Sequence, residues 1–215
     1  MKKALTLALG LLLSSFAFGQ AATIAVGTPL NIFENQKNVI IKTAKGTVEI
    51  KRTMTPCGKN GGTLQPLVPV PGVHPIGEIE IIAALGDRDS LVVDMRDSND
   101  RVKGTIPGSI GIPYPEVAAR MNELGCSKTA SGWDCAGAKK LYAFCNGPTC
   151  PQSPMAIRAI TRDGFPADKI YYYRGGMLDW DALGLTSEKD EFRNRIPSAL
   201  IQRKNRQGIL PVILI

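Results

Sequence analysis

The chain has 215 residues, a formal net charge of +7 at neutral pH and 44% hydrophobic residues. That apolar content excludes a disordered polyelectrolyte, and the basic excess is too dispersed to argue for nucleic acid. The length fits one principal domain with additions.

The N-terminus reads as an export signal. Lys2 and Lys3 form a basic start, Ala4 to Leu13 is an apolar run, and Ala17-Phe18-Gly19 or Gly19-Gln20-Ala21 offers small residues at a cleavage site. The run is too short to span a bilayer, which takes about 20 residues. Residues 1–21 are therefore expected to be removed, leaving an exported, soluble protein in the periplasm or outside the cell with no transmembrane segment. Losing Lys2 and Lys3 lowers the charge to about +5.

Residues 22–75 read as a β-rich extension and linker. Asn38–Thr43 and Thr47–Thr53 carry β-branched residues, and "AKG" between them fits a hairpin turn. The Gly- and Pro-dense stretch 55–75 reads as an irregular connection, with His74 a plain loop residue. From residue 76 the pattern alternates. "IGEIEIIAAL" has helical spacing, "SLVVDMR" is a strand, and "GTIPGSIGIPY" is a short strand among turns. "PEVAARMNEL" reads as a helix entered by Pro115, and "KLYAF" as a strand running into a cysteine loop. In "SPMAIRAITRDG", Ser153 is the expected N-cap, Pro154 the first helical residue and Gly164 the stop. "KIYYY" is a further strand, its aromatics read as core, and "GGMLDWDAL" a last short helix whose acidic residues read as a solvated face. The alternation predicts an α/β fold with a mostly parallel sheet, flanked by helices. Residues 188–215 form a basic C-terminal tail ending in the apolar "ILPVILI". It reads as a solvated arm with a packed end, and attachment to an anionic membrane surface is the sharper alternative.

Five cysteines follow the leader: Cys57, Cys126, Cys135, Cys145 and Cys150. The odd number leaves at least one thiol without an intramolecular partner. Cys145 and Cys150 share the loop "CNGPTC" between a strand and a helix start, where loop N–H groups and the helix N-terminus favour a thiolate. A structural disulfide, a metal clip and a reactive thiolate compete as readings of that pair. The metal reading has little support, since His74 is the one histidine and lies far along the chain. Cys126 and Cys135 bracket a Ser/Gly turn. Closing that loop would contribute about 2.7 kcal/mol by loop entropy, so this pair is the expected staple.

The second half resembles the rhodanese-like sulfurtransferase family. "LVVDMRDSNDRVKGTIPGSIGIPY" resembles its Asp-x-Arg, Gly-His-Ile-Pro-Gly and Asn-Ile-Pro stretch, with Thr105 where the family has His. "LYAFCNGPTCPQSPMAIRAITRDGFPADKIYYYRGGMLDW" resembles its strand, cysteine loop, helix, strand and Gly-Gly-x-x-x-Trp run. The resemblance spans residues 76–187 and implies a rhodanese-like domain there. It implies that Cys145 is the persulfide-forming nucleophile. Asp94, Arg96, Gly175, Gly176 and Trp180 would support the site. Asn146, Gly147, Thr149, Gln152 and Ser153 become candidate substrate-binding residues.

The implied reaction moves sulfane sulfur from a donor such as thiosulfate to a thiol or cyanide, with no cofactor and no metal. The loop carries no cation, is longer than the family's usual one, and loses N–H donors at Pro148 and Pro151. A phosphatase variant of this fold would place arginine where Pro151 stands. Cys150 is positioned to attack a persulfide or disulfide on Cys145. Two alternatives follow: a thiol–disulfide oxidoreductase using both cysteines, whose partner is a protein thiol, and a non-catalytic binding module with a permanent Cys145–Cys150 bond.

Overall fold

The computed structural model describes residues 25–44, 46–54 and 62–189. The leader, Cys57 and nearly all of the basic tail lie outside these residues.

Three short antiparallel strands open the chain: β1 (Pro29–Leu30), β2 (Asn38–Thr43) and β3 (Gly46–Thr53), in the order β1-β3-β2. The β2–β3 hairpin pairs Val39 with Ile50 and Ile41 with Val48, and Thr43 donates to the Gly46 carbonyl at 2.8 Å to close its turn. Little of this sheet is buried beyond Leu30, Ile32 and Met54.

The main sheet follows. β4 (His74–Pro75) leads to α1 (Glu78–Leu85), then β5 (Ser90–Asp94), a helical turn α2 (Ser98–Arg101) and β6 (Ile110–Gly111). A 3₁₀ helix covers Val117–Leu124, and a hairpin of β7 (Ser127–Thr129) and β8 (Gly132–Asp134) precedes β9 (Lys140–Phe144). α3 (Gln152–Arg162), β10 (Ile170–Tyr173) and α4 (Gly176–Ala182) complete the domain. The five strands run parallel in the order β4-β10-β9-β5-β6. The expected α/β class with a parallel sheet is what the chain adopts. The centre of a strand such as "SLVVD" is continuously apolar because helices cover both faces. Ile157, Ile160, Met121 and Leu124 pack on one face, and Ile81, Ala84, Met177 and Trp180 on the other.

Three local expectations change. His74 and Pro75 form an edge strand beside β10, and His74 stacks on Tyr171 with ring centroids 4.9 Å apart. The helix expected from Pro115 begins at Val117 and winds as 3₁₀, with a kink at Arg120. There the Glu116 carbonyl accepts from both Ala119 and Arg120, a bifurcation that tightens the turn. Ser153 is not an N-cap. Pro151 holds that position, and the first α3 bond runs from Met155 N–H to the Pro151 carbonyl at 2.9 Å. Pro154 is tolerated because the first turn has no intrahelical acceptor for its missing N–H.

Candidate active site

β9 lies inside the sheet, and its carboxyl end delivers Cys145 into the loop that precedes α3. This edge is where ligands bind in such sheets. Glycines allow the close approach that shapes the loop. A Cβ on Gly176, whose φ is +56°, would lie 2.2 Å from the Cys145 carbonyl oxygen. One on Gly147 would meet the Leu178 side chain at 2.6 Å. Met177 and Leu178 N–H groups then donate to the Cys145 and Asn146 carbonyls at 3.0 and 2.9 Å, so the start of α4 holds the loop. Gly175 is equally confined, against Asp179 and Tyr173. Trp180 is buried and donates its indole N–H to the Thr186 carbonyl at 2.9 Å, anchoring α4.

Cys145 and Cys150 are both free thiols, and both are buried. The Cys145 S–H donates to the Cys150 carbonyl oxygen at 3.4 Å. Burial pushes the Cys145 thiol well up, and negative charge on Cys150 adds to the rise. The Cys150 thiol is brought down to about 7, first by the hydrogen bond from Cys145 and then, against burial, by backbone N–H groups of Asn146 and Gln152. These directions favour the proton on Cys145 and ionisation of Cys150. The pair titrates as a unit.

The remaining loop residues divide. Ser153 is fully buried against Cys145, and its N–H and hydroxyl both pull that thiol's pKa down. Its hydroxyl nevertheless has no partner in hydrogen-bond geometry among the described residues. Gly147 accepts from the Cys150 N–H at 2.9 Å. Asn146 accepts from Arg96 Nη1 at 3.2 Å and donates to Asp100 at 3.0 Å. Gln152 donates to Asp97 at 2.6 Å and faces the Cys150 sulfur at 3.6 Å. The two amides thus brace the loop against the turn after β5. Thr149 packs its backbone against Gly62.

Beneath that turn, Asp94 is fully buried. It accepts from Arg96 Nε at 2.9 Å and Nη2 at 2.7 Å, from Thr105 Oγ1 at 2.7 Å, and from Arg101 at 3.4 Å. Thr105 thus donates to the carboxylate from the position where the family resemblance has His. Arg101 also reaches Thr105 and Ser109 at 3.0 Å each. Arg101, Ser109, Asp97 and Asp100 carried no motif signal.

The N-terminal sheet also reaches the site. Leu64 N–H donates to the Ile32 carbonyl at 3.0 Å and Gln65 N–H to the Pro148 carbonyl at 2.8 Å. Arg174 donates to the Gln65 carbonyl at 3.1 Å, and Arg52 to the Gly62 carbonyl. Residues 62–65 thereby join the small sheet to the cysteine loop. On the other side, a groove of about 340 Å³ is lined by Arg96, Asp100, Lys103, Asn146, Met177 and Asp181 among others. It borders the loop at Asn146, and neither cysteine lines it.

Cys126 and Cys135 form a disulfide across the base of the β7–β8 hairpin, and both sulfurs join the core on the α3 face. Among the described residues no cluster of three or more His, Cys, Asp or Glu could hold a metal ion. Nor is any described helix long and apolar enough to cross a membrane.

Comparison with known proteins places this site in a family. Residues 79–183 match the family model described as the rhodanese-like domain. An HTH-type transcriptional regulator of Mycobacterium tuberculosis is 28% identical over 199 residues, covering 81% of this chain and 82% of that protein. Among solved structures, thiosulfate sulfurtransferase from Pseudomonas aeruginosa is 24% identical with a TM-score of 0.43, covering 55% of this chain and 20% of that one. A rhodanese-related protein from Thermoplasma volcanium is 20% identical with a TM-score of 0.41, covering 54% of this chain and 99% of that one.

Proposed function

We propose, from the premise that residues 79–183 are a rhodanese-like domain, that this chain is an exported sulfurtransferase. It moves sulfane sulfur from a donor such as thiosulfate to a thiol or cyanide through a persulfide on Cys145. The observation that carries this reading is the pair of buried free thiols at the carboxyl end of β9, with the Cys145 S–H donating to the Cys150 carbonyl at 3.4 Å; burial favours the protonated Cys145, and the Cys150 thiol is drawn down to about 7.

In the first half-reaction Cys145 sulfur attacks the outer sulfur of thiosulfate while its proton passes to the Cys150 thiolate. The S–S bond of thiosulfate breaks and sulfite leaves with its electron pair. The products are a Cys145 persulfide anion, a Cys150 thiol and sulfite. In the second half-reaction cyanide or an acceptor thiolate attacks the outer sulfur. The Cys145–sulfur bond then breaks, giving thiocyanate or an acceptor persulfide, and the pair's negative charge returns to Cys150. Covalent storage divides the transfer into two steps. Residues 76–187 would form the catalytic unit, with residues 1–21 directing export.

Incubating the reduced protein with thiosulfate should add the mass of one sulfur, and Cys145→Ala should remove that gain. No sulfur on Cys145 with any donor overturns the reading. The adjacent free thiols favour one second reading, a thiol–disulfide oxidoreductase in which Cys145 attacks and Cys150 resolves. It requires a Cys145–Cys150 bond that glutathione buffers open and close. A bond that never reduces in the native protein would leave only the binding module.

A further inference from the structure

We propose that the hydroxyls of Tyr172 and Ser153 form a binding site for the outer sulfur of a Cys145 persulfide. The proposal rests on the sulfur-carrying reading above and names the groups that would hold its intermediate. Tyr172 lies on β10 and Ser153 in the first turn of α3, and both are fully buried. Among the described residues neither hydroxyl has a hydrogen-bond partner. Buried polar groups are nearly always paired, so two orphans in one domain core call for an explanation.

Tyr172 pairs in register with Ala143, two residues before Cys145, and both lie in the core cluster that Ala156 and Ile157 of α3 join. The charges of Cys145 and Cys150 both act on the Tyr172 hydroxyl, and the Ser153 hydroxyl acts on Cys145. Neither is in hydrogen-bond geometry with a thiol sulfur. A persulfide extends the Cys145 side chain by one S–S bond, about 2.05 Å, and puts negative charge on the added atom. O–H donors stabilise such an anion in a dry site.

The loop needs donors of this kind. Pro148 and Pro151 have no N–H, and no Lys or Arg occurs from Asn146 to Ser153. Each hydroxyl donates a hydrogen bond and keeps its proton, so no further bond forms or breaks.

The test uses full-length chains carrying Cys150→Ser, so that the second thiol cannot expel the sulfur. Tyr172→Phe or Ser153→Ala is added to this background. Each chain is loaded with sodium tetrasulfide or with thiosulfate, freed of excess reagent, and followed by intact mass with peptide mapping of Cys145. Each hydroxyl-deleted chain should lose its sulfur about tenfold faster than the background chain. In the Tyr172→Phe chain, iodoacetamide alkylation of the unloaded Cys145 should stay within about twofold, because that hydroxyl makes no hydrogen bond to the plain thiol. Equal sulfur lifetimes, or equal slowing of alkylation and loss of sulfur, overturn the proposal.

The two readings separate by reagent. Loading by tetrasulfide with the expected lifetimes, while the chain that keeps Cys150 takes no sulfur from thiosulfate, defeats thiosulfate transfer and leaves the hydroxyl site standing. Loading by thiosulfate with unchanged lifetimes defeats the site alone. No sulfur held from either reagent overturns both.

Discussion

The Cys145 thiol donates to the carbonyl oxygen of Cys150 across 3.4 Å, within one buried loop. Burial favours the proton on the residue that opens the loop, while the residue that closes it is drawn toward ionisation at about 7. In the proposed mechanism the reactivity of Cys145 depends on that base, five positions further along the chain. Four predictions follow from this arrangement and the packing around it.

Reaction at Cys145 should rise as pH passes about 7, the value at which Cys150 ionises. Below that pH Cys150 is protonated and cannot take the Cys145 proton; above it, it can. Cys150→Ser removes this base, and burial then holds Cys145 protonated to higher pH, so the rise should move upward. Iodoacetamide labelling of Cys145 from about pH 5 to 10 reads this directly. An unshifted profile in Cys150→Ser would rule out Cys150 as the base.

Asp94→Ala should destabilise the domain by about 3–5 kcal/mol, because it leaves Arg96 and Arg101 buried without their shared carboxylate. Thr105→Val removes one donor to that carboxylate and should cost about 1–3 kcal/mol. Urea unfolding measures both. Asp94→Ala should also loosen Arg96 from Asn146 and slow sulfur uptake.

Gly176→Ala should displace the cysteine loop. The added Cβ would lie 2.2 Å from the Cys145 carbonyl, and the positive φ disfavours alanine. The expected loss is about 1–3 kcal/mol in stability, with a larger fractional loss of sulfur uptake than in Thr105→Val. Uptake per folded molecule, by intact mass, checks it.

Replacing Cys126 and Cys135 together by alanine should lower stability by about 2.7 kcal/mol on the loop-entropy model. Sulfur uptake by the molecules that stay folded should persist, since the hairpin they staple lies apart from the cysteine loop. A denaturant melt and a thiosulfate loading assay separate the two effects.

Much of the fold was readable in the chain. "SLVVD" and "KLYAF" showed as buried strands by continuous apolar character, and α1 and α3 by spacing and turn residues, because burial on a regular element repeats with its period. The 3₁₀ winding of Val117–Leu124 and the edge strand at His74–Pro75 did not show, since both depend on hydrogen bonds to segments remote in sequence or on a local bifurcation. Tyr172 looked like core, and it is core. Its hydroxyl stands out only in the folded chain, where it is buried without a partner among the described residues.

By itself the sequence determined the alternating strands and helices, the position of the cysteine loop between a strand and a helix start, and the candidate nucleophile. These follow from local periodicity, turn chemistry and motif spacing. Tertiary structure alone decided what braces the loop, how deeply the two thiols are buried and which hydroxyls are buried without a partner. Desolvation and N–H direction are set by packing. Asp100 bonds Asn146 and Gly176 packs on the Cys145 carbonyl from two separate stretches of chain. Only the closed fold brings both to the loop.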